Sequence, residues 1–421
     1  MTDPAHAEPP RRSPFGFLRP AVSVAGVYGL ATIVWLALGD ALPGGRWLAV
    51  HLFTLGVVTN LIVALTRHFA QTLMHAPAGE ASPWRLVLLN AGVLGVAFGW
   101  PGMPALLAAG SIAVVVAIAW LYVDLRRMRK RSLSGRFAFV VRGYERACGA
   151  FFHGATLGAL LGVGVIGGAW YGALRTAHLH VNVLGWAGLT LLATVVFFGP
   201  TMLRTRMVAG ADASAAKALR HGTTGLTVAT AALVLTGFGG GPGTGFRLLA
   251  AAGLAVYAVA ATSICVHVLR AGRGSARFPQ GLMIQAACAW FVVLIWADVA
   301  VVATGQLRLL DALGAGVLVA VLAQAILAAL NYLAPMVWAA GPAQRSAART
   351  RLDRLPWPRA AVLNLGALLV VAAVVSRPAA GDVATYLARS GWALVAVAAL
   401  IQLALLAREA APALAARVTG P

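Results

Sequence analysis

Apolar runs of membrane length recur from one end of this chain to the other, separated by short polar or basic stretches. Taking a span as about 20 apolar residues, the pattern predicts twelve, at 20–39, 47–69, 86–100, 104–124, 148–170, 180–203, 223–240, 247–269, 281–303, 310–334, 360–376 and 384–407. Only Trp100-Pro101-Gly102-Met103-Pro104 divides the third from the fourth. The expected fold is an all-α integral membrane protein with one membrane domain over 20–407 and polar tails at 1–19 and 408–421. The first tail is Pro-rich, carries Arg11, Arg12 and Arg19, and shows no cleavage site, so it reads as a cytoplasmic tail and not as a cleaved signal.

The apolar segments are not independent of one another. His51 stands five residues before Gly56, His180 five before Gly185, and Asp311 five before Gly316. Successive anchors are about 130 residues apart, a near-constant period that suggests tandem blocks of similar size. Three pseudo-repeats of four helices follow, at about 20–146, 147–279 and 280–407, with the anchors at the starts of spans two, six and ten.

Composition agrees with this reading. With 60% hydrophobic residues, 11% charged and a mean hydropathy of +0.83, the chain has too few polar residues to cover its apolar segments in water. Of the 33 Lys and Arg residues, 27 fall on the tails and even-numbered loops and six on the odd-numbered loops. Cytoplasmic loops hold such an excess, which puts both termini inside and makes a bacterial-type inner membrane the expected location. The net charge of +21 is then a topology determinant and a set of contacts to anionic head groups, with no nucleic acid partner needed. Segment 132–146 is too charged to span and is expected to lie along the inner interface, and the run Gly239 to Gly245 is expected to be a turn on the outer side. Cys148, Cys265 and Cys288 lack paired spacing and read as packing residues.

Ionisable residues inside a bilayer are costly, and each is a candidate for function. His51, His178, His180, Asp298 and Asp311 fall near the outer side; Arg67, His68, His75, His153, His221 and His267 fall near the inner side. Imidazole is a common ligand for copper and haem iron and needs a partner on its other nitrogen. The repeated register makes His51 and His180 the first candidate metal or cofactor ligands. His178 is a substitute for His180, since residues two apart on a helix point in different directions. Asp298 or Asp311 is expected to orient a ligand imidazole.

Histidine at the outer start of spans two and six, within twelve spans in three blocks, resembles subunit I of haem-copper oxidases and nitric oxide reductases and their relatives in the NnrS family. The stretch HLHVNVLGW, with His51, Gly56, Arg67 and His75, carries the resemblance. The stretch HLFTLGVVTNLIVALTRHFA is also similar to the membrane portion of bacterial multicopper oxidases. The resemblance implies a redox protein binding haem b and/or copper, with a role in electron transfer or in copper or nitric-oxide handling. A periplasmic cupredoxin or multicopper oxidase is its implied partner. The histidine pair on span seven and the two histidines on span ten are missing, so any oxidoreductase activity is expected without a complete binuclear centre. A membrane transporter and a structural anchor for a periplasmic copper enzyme are the alternative functions.

Overall fold

Leucine, valine and alanine runs broken by Gly and Pro should give long helices and short connections, and they do. The structure, a computed structural model, describes residues 15–76, 82–132, 135–274, 278–339, 341–376 and 381–418. Among the described residues every regular element is helical. We number the helices α1 (Arg19–Leu38), α2 (Gly45–Leu73), α3 (Pro83–Gly99), α4 (Pro104–Arg131), α5 (Ala138–Gly162), α6 (Gly168–Leu203) and α7 (Ala211–Leu235). They continue as α8 (Gly240–Ala271), α9 (Pro279–Thr304), α10 (Leu307–Trp338), α11 (Pro342–Leu352), α12 (Pro356–Ser376) and α13 (Gly381–Val418).

Nine of these helices, among the described residues, are long and apolar enough to cross a membrane, and α3 is a shorter apolar one. Large apolar side chains such as Val27, Trp84, Phe98, Ile112 and Val293 stand on the outside. An apolar exterior of this kind fits contact with a lipid bilayer and multi-pass insertion.

Several boundaries differ from the expectation. Residues from Ala138 on belong to α5, so the expected interfacial segment is largely the start of a long helix; Tyr144 is buried there, and Glu145 pairs with Arg129 of α4 at 2.7 Å. Residues 133 and 134 lie outside the described residues. That pairing lets charged residues enter a helix that composition alone would end. Helix α6 begins twelve residues before His180, so the histidines sit well inside it. The expected glycine turn is confined to Gly239 and Gly240, at φ +68° and +54°, after which α8 is already helical.

Three helices share an irregularity that links the blocks. The π-helical segments Leu52–Thr59, Val181–Gly188 and Val317–Ala323 interrupt α2, α6 and α10. A π-helical turn carries an extra residue and disturbs the regular main-chain hydrogen bonding. Each turn has a carbonyl that accepts from a side chain: Gly56 from Asn60 (2.8 Å), Leu184 from Tyr257 of α8 (2.8 Å) and Ala320 from Gln324 (3.1 Å).

The register corrects the third anchor. His51 and His180 each stand immediately before their π segment, whereas Asp311 stands six residues before Val317. The register that carries Asn60 onto Gln324 also carries Arg67 onto Asn331 and His51 onto Ala315. Asp311 lies one helical turn away from the position the histidines occupy.

Glycine contacts set the tightest helix pairs. Helices α3 and α4 approach at Gly92 and Gly110, α7 and α8 at Gly225 and Gly253, and α12 and α13 at Gly366 and Gly391. A Cβ on Gly225 would lie 2.5 Å from the Gly253 carbonyl oxygen, so only glycine lets these backbones meet. The glycines of the sequence repeat also face protein: a Cβ on Gly56 would collide with the Tyr28 ring, and one on Gly185 would meet Ala150 at 2.6 Å.

Candidate functional site

The candidate site lies where α2 meets α5 and α6. His51 closes the first α-helical stretch of α2, and its Nδ1 donates to the Trp47 carbonyl one turn earlier at 2.8 Å. The Trp47 ring stacks on His51, with centroids 4.0 Å apart, and rests in turn against Trp100. The tautomer and the plane of the imidazole are fixed by these neighbours, leaving Nε2 for a ligand.

His178 is held in a similar way from a neighbouring helix. Its Nδ1 donates to the carbonyl of Gly154 on α5 at 2.8 Å. Gly158, one turn on, makes room for the ring, since a Cβ there would lie 2.6 Å from the imidazole Cε1. Asn182 packs against Gly154 and donates to the His178 carbonyl at 2.8 Å. Two glycines four apart on α5 thus seat two polar side chains four apart on α6.

His51 and His178 lie within electrostatic range of each other. Both rings are half-buried by accessible area.

His180 is turned elsewhere. It is 1% exposed, and its two ring nitrogens face the Thr176 carbonyl at 2.8 Å and Asp298 Oδ1 at 3.2 Å. Both nitrogens are thus engaged by protein groups, and neither is left for a metal. The expected pairing of a histidine with Asp298 is therefore present, but it makes a buried side-chain link between α6 and α9. Asp311 orients no histidine: it pairs with Arg175 at 3.3 Å, and both side chains are about half exposed. A cavity of about 20 Å³, room for a water molecule, lies beside His180 and Asp298 among Phe291, Leu294 and Leu313.

His68 and His153 do not join this site. His68 is bracketed by Phe15 and Phe17, and His153 bonds its own helix at Gly149 and faces outward. Sequence reasoning passed over Trp47, Gly154, Gly158 and Asn182. The glycines at i and i+4 on α5 were a legible signal of close helix contact; the carbonyl that bonds His178 was not.

As for donor chemistry, no three or more His, Cys, Asp or Glu side chains gather to hold a metal ion among the described residues. A haem brings four nitrogen donors of its own and needs one or two imidazoles, which His51 and His178 can offer through Nε2. No family model matches this chain, and no curated protein matches it.

Proposed function

We propose that this chain is a membrane redox protein with twelve spans in three blocks of four, helix α11 lying outside the spans, and with both termini on the cytoplasmic side of a bacterial-type inner membrane. In this reading His51 and His178 hold a haem at the contact between the first and second blocks. The observation that carries it is the matched state of the two rings, each pinned at Nδ1 by a main-chain carbonyl, with Nε2 left over. A main-chain carbonyl on Nδ1 fixes the tautomer that presents Nε2 and raises its basicity. Trp47 holds the His51 ring plane, and Gly158 admits the His178 ring. A haem bound there would supply one-electron transfer. The apolar walls of α2, α5 and α6 would exclude water from it.

An optical spectrum of the detergent-purified protein, with a pyridine haemochrome assay for haem content, tests this. His51→Ala and His178→Ala should each lower bound haem at least tenfold, while His180→Ala retains it. A parent protein without haem, or a His51→Ala/His178→Ala double variant with the parent's haem content, would remove the reading.

A further inference from the structure

The buried polar groups of the first block recur in the third, with one exchange. In the first block Asn60 and Asn90 bond each other in both directions, at 3.1 and 3.0 Å, between α2 and α3. In the third, Asn364 of α12 donates to Gln324 of α10 at 2.8 Å. Arg85 stands five residues before Asn90, and Arg359 five before Asn364, so that R-x4-N-x-G occurs at Arg85-Asn90-Gly92 and again at Arg359-Asn364-Gly366. Both arginines sit in the first turn of their helix and reach a polar side chain on the following membrane helix.

That polar side chain differs between the blocks. Arg85 meets Asp124 of α4 at 2.9 Å, and Arg67 of α2 stands 3.8 Å from the same carboxylate. Arg359 meets Gln402 of α13 and, at 2.8 Å, Asn331 of α10, which takes the place of Arg67. Asn331 and Gln402 are each 2% exposed. The remaining acceptors on Arg359 are main-chain carbonyls at Leu352 and Arg354. Among the described residues no carboxylate lies within ion-pair distance of Arg359, and its Nε is buried with no hydrogen-bond partner. The nearby Asp353 is engaged by Arg204 and by Gln280.

A guanidinium taken out of water needs an anion or a full set of acceptors. The first block supplies its own aspartate; the third supplies four neutral acceptors to the terminal nitrogens of Arg359 and leaves its Nε and its charge without a partner. We infer that Arg359, with Asn331 and Gln402, forms a binding site for the phosphate group of an external anion, from a phospholipid head group or from free phosphate. The surrounding chemistry favours an anion: α11, which packs over this end, carries Arg345, whose Nε is likewise buried and without a partner, and the exposed Arg349. Arginine N–H groups bond phosphate oxygens strongly, and the Nε–H of Arg359 is the donor not already engaged.

The test uses the full-length protein, delipidated in a neutral detergent, with thermal melting followed against inorganic phosphate in one arm. The other arms use phosphatidylglycerol and phosphatidylcholine. The parent should melt several degrees higher with inorganic phosphate, with phosphatidylglycerol or with both, and not with phosphatidylcholine; the arm that responds identifies the source. Gln402→Glu rebuilds the carboxylate of the first block, so this variant should melt at or above the anion-free parent and lose the response. Arg359→Gln should also lose it. No shift in the parent, or a Gln402→Glu variant that responds as the parent does, would overturn the site.

Discussion

The indole nitrogen of Trp186 donates to the hydroxyl of Thr59 across 3.0 Å, joining the π-helical segments of α6 and α2. Thr59 donates in turn to its own helix at Thr54, five residues back, as a π-helical turn allows. The two residues lie eight positions beyond His51 and His178 on their helices, so this bond closes the helix contact about 12 Å below the imidazoles at 1.5 Å per residue.

Thr59→Val would leave the Trp186 N–H buried without a partner and should cost about 1–3 kcal/mol. Trp186→Phe should cost less through hydrogen bonding, because the Thr59 hydroxyl keeps its bond to Thr54. Thermal unfolding of the two single variants and the double variant in detergent checks this. A purely additive cycle would show that the contact carries no coupling.

Gly225→Ala should loosen the α7–α8 pair strongly, because its new Cβ would meet main-chain atoms of α8, which cannot turn aside as a side chain can. A loss of about 2 kcal/mol or more is expected, in the upper range for single substitutions. Gly149→Ala meets nothing within 4 Å and should be neutral or gain up to about 1 kcal/mol from helix propensity. Melting temperatures of the two variants under the same conditions decide.

His180 and Asp298 can be separated from the ligands we propose for haem by their response to paired substitution. Asp298→Leu leaves His180 facing an apolar residue and should destabilise by about 3–5 kcal/mol, the usual result of stranding one member of a buried pair. His180→Phe/Asp298→Leu removes both and should recover most of that loss. Yield and melting temperature of the folded protein measure it, and a double variant as unstable as the single one would contradict the pairing.

The two ends of the bundle should differ in access from outside the cell. Cysteine placed at Gly239 should react with a membrane-impermeant maleimide in whole cells, whereas cysteine at the exposed Thr350 of α11 should react only after lysis. The native Cys148, Cys265 and Cys288 are buried and should stay silent in both cases. The reverse labelling would invert the orientation.

Much of this protein is decided by local sequence. Runs such as Val114 to Leu121 have no way to satisfy their backbone in lipid except as helix, and nearly every helix follows from the sequence on that ground. The shared histidine-to-glycine spacing of α2 and α6 was visible too; the R-x4-N-x-G recurrence, which needs only a comparison of the chain with itself, was passed over. Charged stretches were less legible. Arg142 and Glu145 continue into α5 because α4 supplies Arg129 as a partner from the preceding helix, and composition does not record partners.

The site shows the same division. The sequence placed His51, His178 and His180 near one end of their helices. The repeated register put His180 first and His178 second, yet that choice depends on what surrounds each face of α6, which spacing along the chain does not record. One face meets the α5 carbonyl at Gly154; the other meets Asp298, which is 118 residues away in the chain. Only packing brings those groups to 2.8 and 3.2 Å, and a hydrogen bond is decided by such distances and by which neighbour is an acceptor, not by spacing along the chain.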